Sequence, residues 1–452
     1  MNSAAPRVES ETGSTWYVYL VSIVAATSGL LFGFDIAVIN GALIFLREQF
    51  QLAEAQTEFA ASALLIGCVF GASLAGMLSD RFGRRKVLIF SAVMFAGSSI
   101  GAAIPRTLTE FVVARFAGGL AIGVASVLAP LYIAEVSPAR IRGRLVSLNQ
   151  MTIVSGILLA YLINWSLSFL GPSSWRWMFA VAAIPSFAFF VALFFVPESP
   201  RWLVERGFED EARAVLLRVG GRSEADLAMR EIKEVIAEES GTFSELFEPR
   251  FRRPLIIAVA LAILQQITGI NTVLFYGSII FKEQVGSSST SALGANVLIG
   301  MINFLATIVA LWLIDRVGRR PLLILSAACM GLCELGLALG FQIQPPPGYL
   351  IIGTMLLCAA SFAVGLGPGV WVVLAEIFPT RVRGRAMGIA TVSLWIACVA
   401  LTSTFLTLVK AIGISGAFCI YAAMCATTVL VVWKWTPETK GRTLEQIEKL
   451  WH

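Results

Sequence analysis

Twelve apolar stretches of about 20 residues or more recur along this chain, each long enough to cross a ~30 Å hydrocarbon core as a helix. They run over 17–45, 58–78, 87–104, 110–134, 145–168, 175–195, 254–281, 290–314, 321–341, 349–375, 386–409 and 413–434. No water reaches such segments to bond the backbone, so only helices or closed barrels are admissible. The stretches are continuous rather than alternating in and out, which rules against barrel strands. The charge content agrees. Only 14% of the 452 residues are charged and 57% are hydrophobic, where a soluble domain carries about a quarter charged residues. The first stretch is too long and too rich in glycine for a cleaved signal peptide, and no cleavage site follows it. The expected class is an all-α protein of the bilayer with 12 transmembrane helices.

Composition also excludes chemistries. The single histidine is His452, at the C-terminus, which removes imidazole ligation and imidazole base catalysis. The seven cysteines, Cys68, Cys329, Cys333, Cys358, Cys398, Cys419 and Cys425, all lie in apolar stretches, where Cys packs as a small hydrophobe. No disulfide framework, metal site or cofactor is expected, and no cluster of nucleophile, base and ligand points to an enzyme. A net charge of +5 is weak evidence for nucleic acid binding, and no nucleic acid partner is expected.

Lys and Arg set the orientation. One set of loops holds Arg81, Arg84, Arg85 and Lys86, then Arg140, Arg142 and Arg144, then Arg316, Arg319 and Arg320, then Arg381, Arg383 and Arg385. The opposite loops hold only Arg47, Arg106, Arg176, Lys282 and Lys410. Both termini are therefore expected in the cytoplasm, in a multi-pass protein of the inner membrane. The spans fall as six, a gap, then six. This gives a tail over 1–16, a bundle over 17–199, a linker over 200–252, a second bundle over 253–435 and a tail over 436–452. In the linker, Glu209–Val219 and Ser223–Glu239 place apolar residues at helical spacing among charges, the pattern of amphipathic helices at the cytoplasmic face.

Three motifs recur at an offset of about 240 residues. Asp80-Arg-Phe-Gly-Arg-Arg85 returns as Asp315-Arg-Val-Gly-Arg-Arg320. Glu135-Val-Ser-Pro-Ala-Arg-Ile-Arg-Gly-Arg144 returns as Glu376-Ile-Phe-Pro-Thr-Arg-Val-Arg-Gly-Arg385, and Pro197-Glu-Ser-Pro200 as Pro437-Glu-Thr-Lys440. A shared offset means a duplicated six-span unit, with both copies in one orientation. The glycines suit tight turns between antiparallel spans. Acidic residues contribute little to topology, so their recurrence needs another reason. Asp80, Glu135, Glu198, Asp315, Glu376 and Glu438, with Arg84, Arg142, Arg201, Arg319 and Arg383, are expected to form cross-helix ion pairs that lock the cytoplasmic side.

Together these motifs resemble the sugar porter family of the major facilitator superfamily. The Pro197-Glu-Ser-Pro-Arg-Trp-Leu203 and Gln265-Gln-Ile-Thr-Gly-Ile-Asn271 segments carry the resemblance most specifically. It covers nearly the whole chain from residue 17 onward. It implies the major facilitator fold, two six-helix bundles rocking about a central site, and movement of a monosaccharide, a hexose such as glucose or a pentose, by a functional monomer in the bilayer.

A neutral polyhydroxylated ring needs amides, which both donate and accept hydrogen bonds, and aromatic faces against its C–H surface. The expected binding residues are Phe32, Gln150, Gln265, Gln266, Asn271, Asn303, Trp371 and Trp395. Trp371 follows Gly365-Leu-Gly-Pro-Gly369, expected to break the tenth helix as binding sites of this type require. Phe275-Tyr276, in place of the family's frequent Tyr-Tyr, is the expected extracellular gate. Leu394 stands before Trp395 where the family often has an amide. Ile157 stands where some members of that family have a glutamine and others an isoleucine, and Ala182 where some have a glutamate.

Asp35 lies inside the first span, and an intramembrane carboxyl is a functional hypothesis by default. Its expected partner is Arg115. Burial favours the neutral acid and the arginine favours the carboxylate, so the pair can exchange a proton as the site opens and closes. Proton-coupled symport is the favoured reading. A facilitative uniporter and a receptor that binds sugar without moving it are the alternatives. Glu334, inside the ninth span, faces either the bundle interior or the outer surface and has no role assigned by the resemblance.

Overall fold

The structure is a computed structural model that describes residues 15–138, 141–238, 243–378 and 380–440. Residues 1–14 and 441–452 with His452, together with Arg140 and the side chain of Arg381, lie outside the described residues. Among the described residues, 12 helices are long and apolar enough to cross a membrane. Spans 1 to 6 are Trp16–Phe50, Glu54–Phe82, Arg84–Ala103, Leu108–Val136, Arg142–Leu170 and Ser174–Ala192. Spans 7 to 12 are Phe251–Gln284, Ser289–Val317, Arg319–Gly340, Gly348–Glu376, Val382–Thr402 and Phe405–Trp435.

The expected spans are all present, with one boundary corrected. Span 11 ends at Thr402 rather than at 409, and Phe405 already begins span 12. Thr404 folds back, its Oγ1 donating to the Ala400 carbonyl at 2.7 Å, a turn that a hydropathy window does not register. The expected start of span 12 at 413 marks a kink instead, because Gly413 has φ +75° inside the helix.

Between the sixth and seventh spans, Pro200–Glu205 is a short helix and Glu209–Glu238 is two helices meeting at Gly221, whose φ is +78°. The break falls between the two amphipathic segments read from the sequence. Arg213–Asp226 at 3.1 Å and Lys233–Glu209 at 2.7 Å fold the two arms onto one another.

The duplication is visible in the packing. Spans 2 and 4, 1 and 5, and 3 and 4 pack together in the first half. Their counterparts 8 and 10, 7 and 11, and 9 and 10 do so in the second. Close approach requires missing side chains. A Cβ on Gly33 would stand 1.9 Å from the Ile153 carbonyl oxygen, and one on Gly119 would stand 1.9 Å from that of Leu64. Small residues that bring backbones together are how helices associate where lipid removes the hydrophobic drive. The halves meet through spans 2 and 11, through spans 5 and 8, and through span 1 against the C-terminal part of span 7. The first two pairs exchange under the repeat, so the halves pack with approximate two-fold symmetry. Phe90, Phe187, Phe195, Trp312 and Leu332 point outward and are exposed, as a lipid-facing belt is.

Candidate functional site between the two halves

Two spans are broken about midway. Span 7 stops as a helix at Ile267 and restarts at Ile270, with Gly269 at φ +92° between them. That left-handed conformation favours glycine, and a Cβ there would also stand 2.7 Å from Glu334 Oε1 and 2.9 Å from the Tyr421 ring. Span 10 breaks at Gly365, as its glycine-rich sequence implies. Ser326 of span 9 repairs the second break. Its Oγ accepts from the Leu366 amide at 3.0 Å and donates to the Ser361 carbonyl at 2.7 Å.

Three of the five amides expected to bind substrate, Gln265, Gln266 and Asn271, are brought together at these breaks. Gln265 Nε2 donates to the Leu366 and Gly367 carbonyls at 2.7 and 3.1 Å. Gln266 Nε2 donates to Gln265 Oε1 at 3.1 Å, and Asn271 Nδ2 donates to Gln266 Oε1 at 2.6 Å. This is a relay. Gln265 is tied to the freed backbone of span 10 and shapes the site. Gln266 and Asn271 keep the spare hydrogen-bonding capacity that each amide retains. Asn303 is buried in span 8, and Gln150 and Trp371 are half-buried.

Aromatic rings close the gap between the halves. Phe32 of the first half meets Trp395 of the second edge-on, ring centroids 5.6 Å apart. Trp395 Nε1 is buried without a hydrogen-bond partner, as is Asn149 Oδ1 beside Gln150. Asn149 Oδ1 faces Gly29 of span 1, where a Cβ would stand 2.8 Å away, so it lies inside the first half. Asn149 was absent from the residues singled out by sequence. The signal was present in the adjacent amide pair Asn149-Gln150.

Asp35 and Arg115 form the expected pair. Arg115 Nη1 stands 2.7 Å from Asp35 Oδ1, Nη2 donates to the Asp35 carbonyl at 2.8 Å, and the guanidinium lies 5.1 Å from the centre of the Phe179 ring. Arg115 is 0% exposed and Asp35 3%. Ile157 and Ala182 are buried.

The chain matches the profile described as sugar (and other) transporter over residues 21–451. It belongs to the sugar (and other) transporter family. An arabinose-proton symporter of Bacillus subtilis is 37% identical over 445 residues, covering 97% of this chain and 96% of the symporter. A D-xylose-proton symporter of Escherichia coli is 38% identical over 473 residues, covering 96% of each chain. The solved structure of the xylose transporter XylE from E. coli, in a partially occluded inward open conformation, superposes with a TM-score of 0.85 at 36% identity, over 95% of this chain and 100% of that one. The fold is accordingly that of a major facilitator transporter.

At the Arg-rich end of this transporter the repeated acids hold the repeated arginines. Arg84 pairs with Glu135 at 3.1 Å and with Asp80 at 3.2 Å, and Glu198 Oε1 accepts from the Arg84 and Arg85 amides at 2.9 and 3.1 Å. The second half repeats this. Arg319 pairs with Glu376 and Asp315, both at 3.0 Å, and Glu438 accepts from the Arg319 and Arg320 amides, both at 3.1 Å. These pairs cross helices, but each joins helices of one half. Burial pushes the Glu198 carboxyl above the ordinary carboxylate range, against the pull of the backbone N–H donors around it. Arg142 is exposed, Arg201 pairs with Glu205 at 3.1 Å, and Arg383 donates to the Phe378 carbonyl at 3.3 Å.

Polar bridges between the halves stand at the opposite end. Arg47 pairs with Glu283 and Lys282 with Glu48. Glu58, 3% exposed, accepts from the Thr407 amide at 2.8 Å and from its hydroxyl at 2.6 Å. Asn40 is wholly buried. Its Nδ2 donates to the Leu274 carbonyl at 2.7 Å, and its Oδ1 accepts from the Ser278 amide at 3.0 Å and from Asn296 Nδ2 at 3.1 Å. The half-helix Ile270–Ile279 of span 7 is thereby fastened to span 1. Phe275 and Tyr276 lie on that half-helix, both buried, with Tyr276 Oη donating to the Thr402 carbonyl at 2.5 Å and its ring 5.1 Å from that of Phe405. Sequence reasoning passed over Asn40, a lone polar residue in an apolar run, and Glu58, at the polar start of span 2; each has a partner in the other half of the chain.

Proposed function

We propose that this transporter carries a monosaccharide, a pentose or a hexose, inward together with a proton by alternating access. The observation that carries the coupling is the buried Asp35–Arg115 pair at 2.7 Å, in a chain whose relatives at 37–38% identity over nearly their full length are named proton symporters. While Arg115 lies on Asp35, the carboxylate has its counter-charge. Rocking of the halves that draws the guanidinium away leaves the carboxyl buried alone, and it takes up a proton; re-forming the pair releases it.

Gln266, Asn271, Asn303 and Gln150 would hold the sugar hydroxyls, with Phe32, Trp371 and Trp395 against its C–H faces and Gln265 positioning the relay. The half-helix bearing Phe275 and Tyr276 is the outer gate. The Arg-rich end faces the cytoplasm, and the ion pairs there brace each half as one rigid body. The monomer suffices, because the site is complete within one chain.

Proteoliposomes test this with radiolabelled D-glucose, D-xylose and L-arabinose. An imposed inward proton gradient is expected to drive accumulation above equilibrium, and a protonophore to abolish it. Asp35→Asn is expected to keep sugar exchange and lose accumulation. Equal flux with and without the gradient would make the protein a uniporter, and binding without flux would make it a receptor.

A further inference from the structure

Span 9 carries a second carboxyl that the Asp35 cycle does not use. Glu334 is 0% exposed. Its Oε1 accepts only a weak contact from Cys358 Sγ at 3.5 Å, and its Oε2 has no hydrogen-bond partner. The titratable groups that face it are Cys333 of its own span, Cys358 of span 10, and Tyr421 and Cys425 of span 12. None of these is a cation. An ionised carboxylate in such a place is expensive and an unused one is hard to account for. Asp35 has Arg115; Glu334 has no counterpart to it among these groups.

Its placement gives it something to act on. Glu334 Oε1 stands where a Cβ on Gly269 would be only 2.7 Å away. Gly269 caps the outer half-helix Ile270–Ile279 and offers it no side-chain acceptor. The first N–H groups of a helix lack intrahelical partners and carry the positive end of its dipole. A buried carboxyl group, whose Oε1 takes only the weak Cys358 contact and whose Oε2 has no partner, therefore sits beside a helix N-terminus without a side-chain cap. That same half-helix carries Asn271 of the amide relay and the Phe275-Tyr276 gate.

We propose that Glu334 is a second protonation site of the transport cycle, neutral while the outer half-helix of span 7 is closed onto span 1, and ionised when that half-helix swings out and turns its first N–H groups onto the carboxylate. Proton binding at Glu334 then favours the closed gate and the relay geometry of Gln266 and Asn271. The proton is bound and released by one oxygen and forms no other bond. This rests on the sugar transporter reading above and adds a proton site to it in the other half of the molecule.

Infrared difference spectroscopy tests it on the Asp35→Asn chain in reconstituted membranes, with D-glucose, D-xylose or L-arabinose added. Closure of span 7 over the sugar is expected to produce the C=O stretch of a newly protonated carboxylic acid. The band should move when glutamate, and not aspartate, is isotopically labelled, which needs no change at residue 334. It should vanish in Asp35→Asn/Glu334→Gln. Sugar exchange by Asp35→Asn should retain a pH dependence that the double variant lacks. Sugar-induced amide bands without a glutamate C=O band, or a band that survives Glu334→Gln, would overturn the inference and leave the transporter reading intact. No sugar-induced change of any kind would overturn both.

Discussion

Replacing Asn40 by Ala removes the side-chain hydrogen bonds that cross between the halves: to the Leu274 carbonyl at 2.7 Å and, more weakly, the Val273 carbonyl at 3.4 Å, from the Ser278 amide at 3.0 Å and from Asn296 Nδ2 at 3.1 Å. All are made by a wholly buried residue; those to Leu274, Val273 and Ser278 depend on the half-helix Ile270–Ile279 of span 7 lying against span 1, and that from Asn296 joins span 8. A typical intramolecular hydrogen bond contributes about 1 kcal/mol net. The closed arrangement should thus lose roughly 2–3 kcal/mol relative to one in which span 7 has swung away and its polar groups are hydrated. At about 1.4 kcal/mol per tenfold, that shifts the equilibrium roughly 30- to 150-fold towards an open outer end. Spin labels on Ala55 and Ala411, exposed residues on opposite halves, report this by pulsed dipolar spectroscopy once the exposed Cys419 is replaced by Ser. The expected result is a longer, newly dominant distance in Asn40→Ala and a retained short distance in Asn40→Asp with its acid protonated. A distance distribution unchanged by Asn40→Ala would refute the claim that these bonds hold the outer end shut.

Gly269→Ala should lower thermal stability in detergent and depress transport, since a left-handed alanine costs about 1–2 kcal/mol before its overlap with Glu334 and Tyr421 is relieved. Glu135→Gln should destabilise more than Glu376→Gln, measured by unfolding in the same detergent. Removing one partner of a buried pair costs about 3–5 kcal/mol, and the first pair is 4% and 6% exposed where the second is 13% and 27%. Trp395→Phe keeps a ring against Phe32 but deletes the unpartnered Nε1, so the sugar KM should rise several-fold in uptake assays with little change in folding.

The spans were legible because bilayer thickness imposes one length on every apolar run, and the duplication because three charged motifs share one offset. The Asp35–Arg115 pair was legible for the same reason that makes it costly: two charges in otherwise apolar helices have few other partners. Geometry within the site was less accessible. Gln265 reads as a ligand-binding amide, yet its donor is engaged by the backbone that Gly365 frees in span 10, a relation between residues 101 apart. The repeated acids and arginines do meet, but the sequence carries nothing to say whether a pair joins two halves or braces one. Asn40 was invisible because an amide in a long apolar helix has no preferred face until its partner, 234 residues away at Leu274, is known. Span 11 was drawn too long because the turn at Ser403-Thr404 between two apolar helices is not something hydropathy weighs.

Sugar-evoked charge movement tests the coupling most directly. Proteoliposomes on a solid-supported membrane, with equal pH on both sides, are exposed to whichever of D-glucose, D-xylose or L-arabinose is taken up. A proton entering with each neutral sugar gives an inward positive current that decays as the vesicles charge, and Asp35→Asn should abolish it while labelled sugar still exchanges. A wild-type protein that moves the sugar with no current, or an Asp35→Asn variant whose current is undiminished, would contradict proton-coupled symport through the Asp35–Arg115 pair.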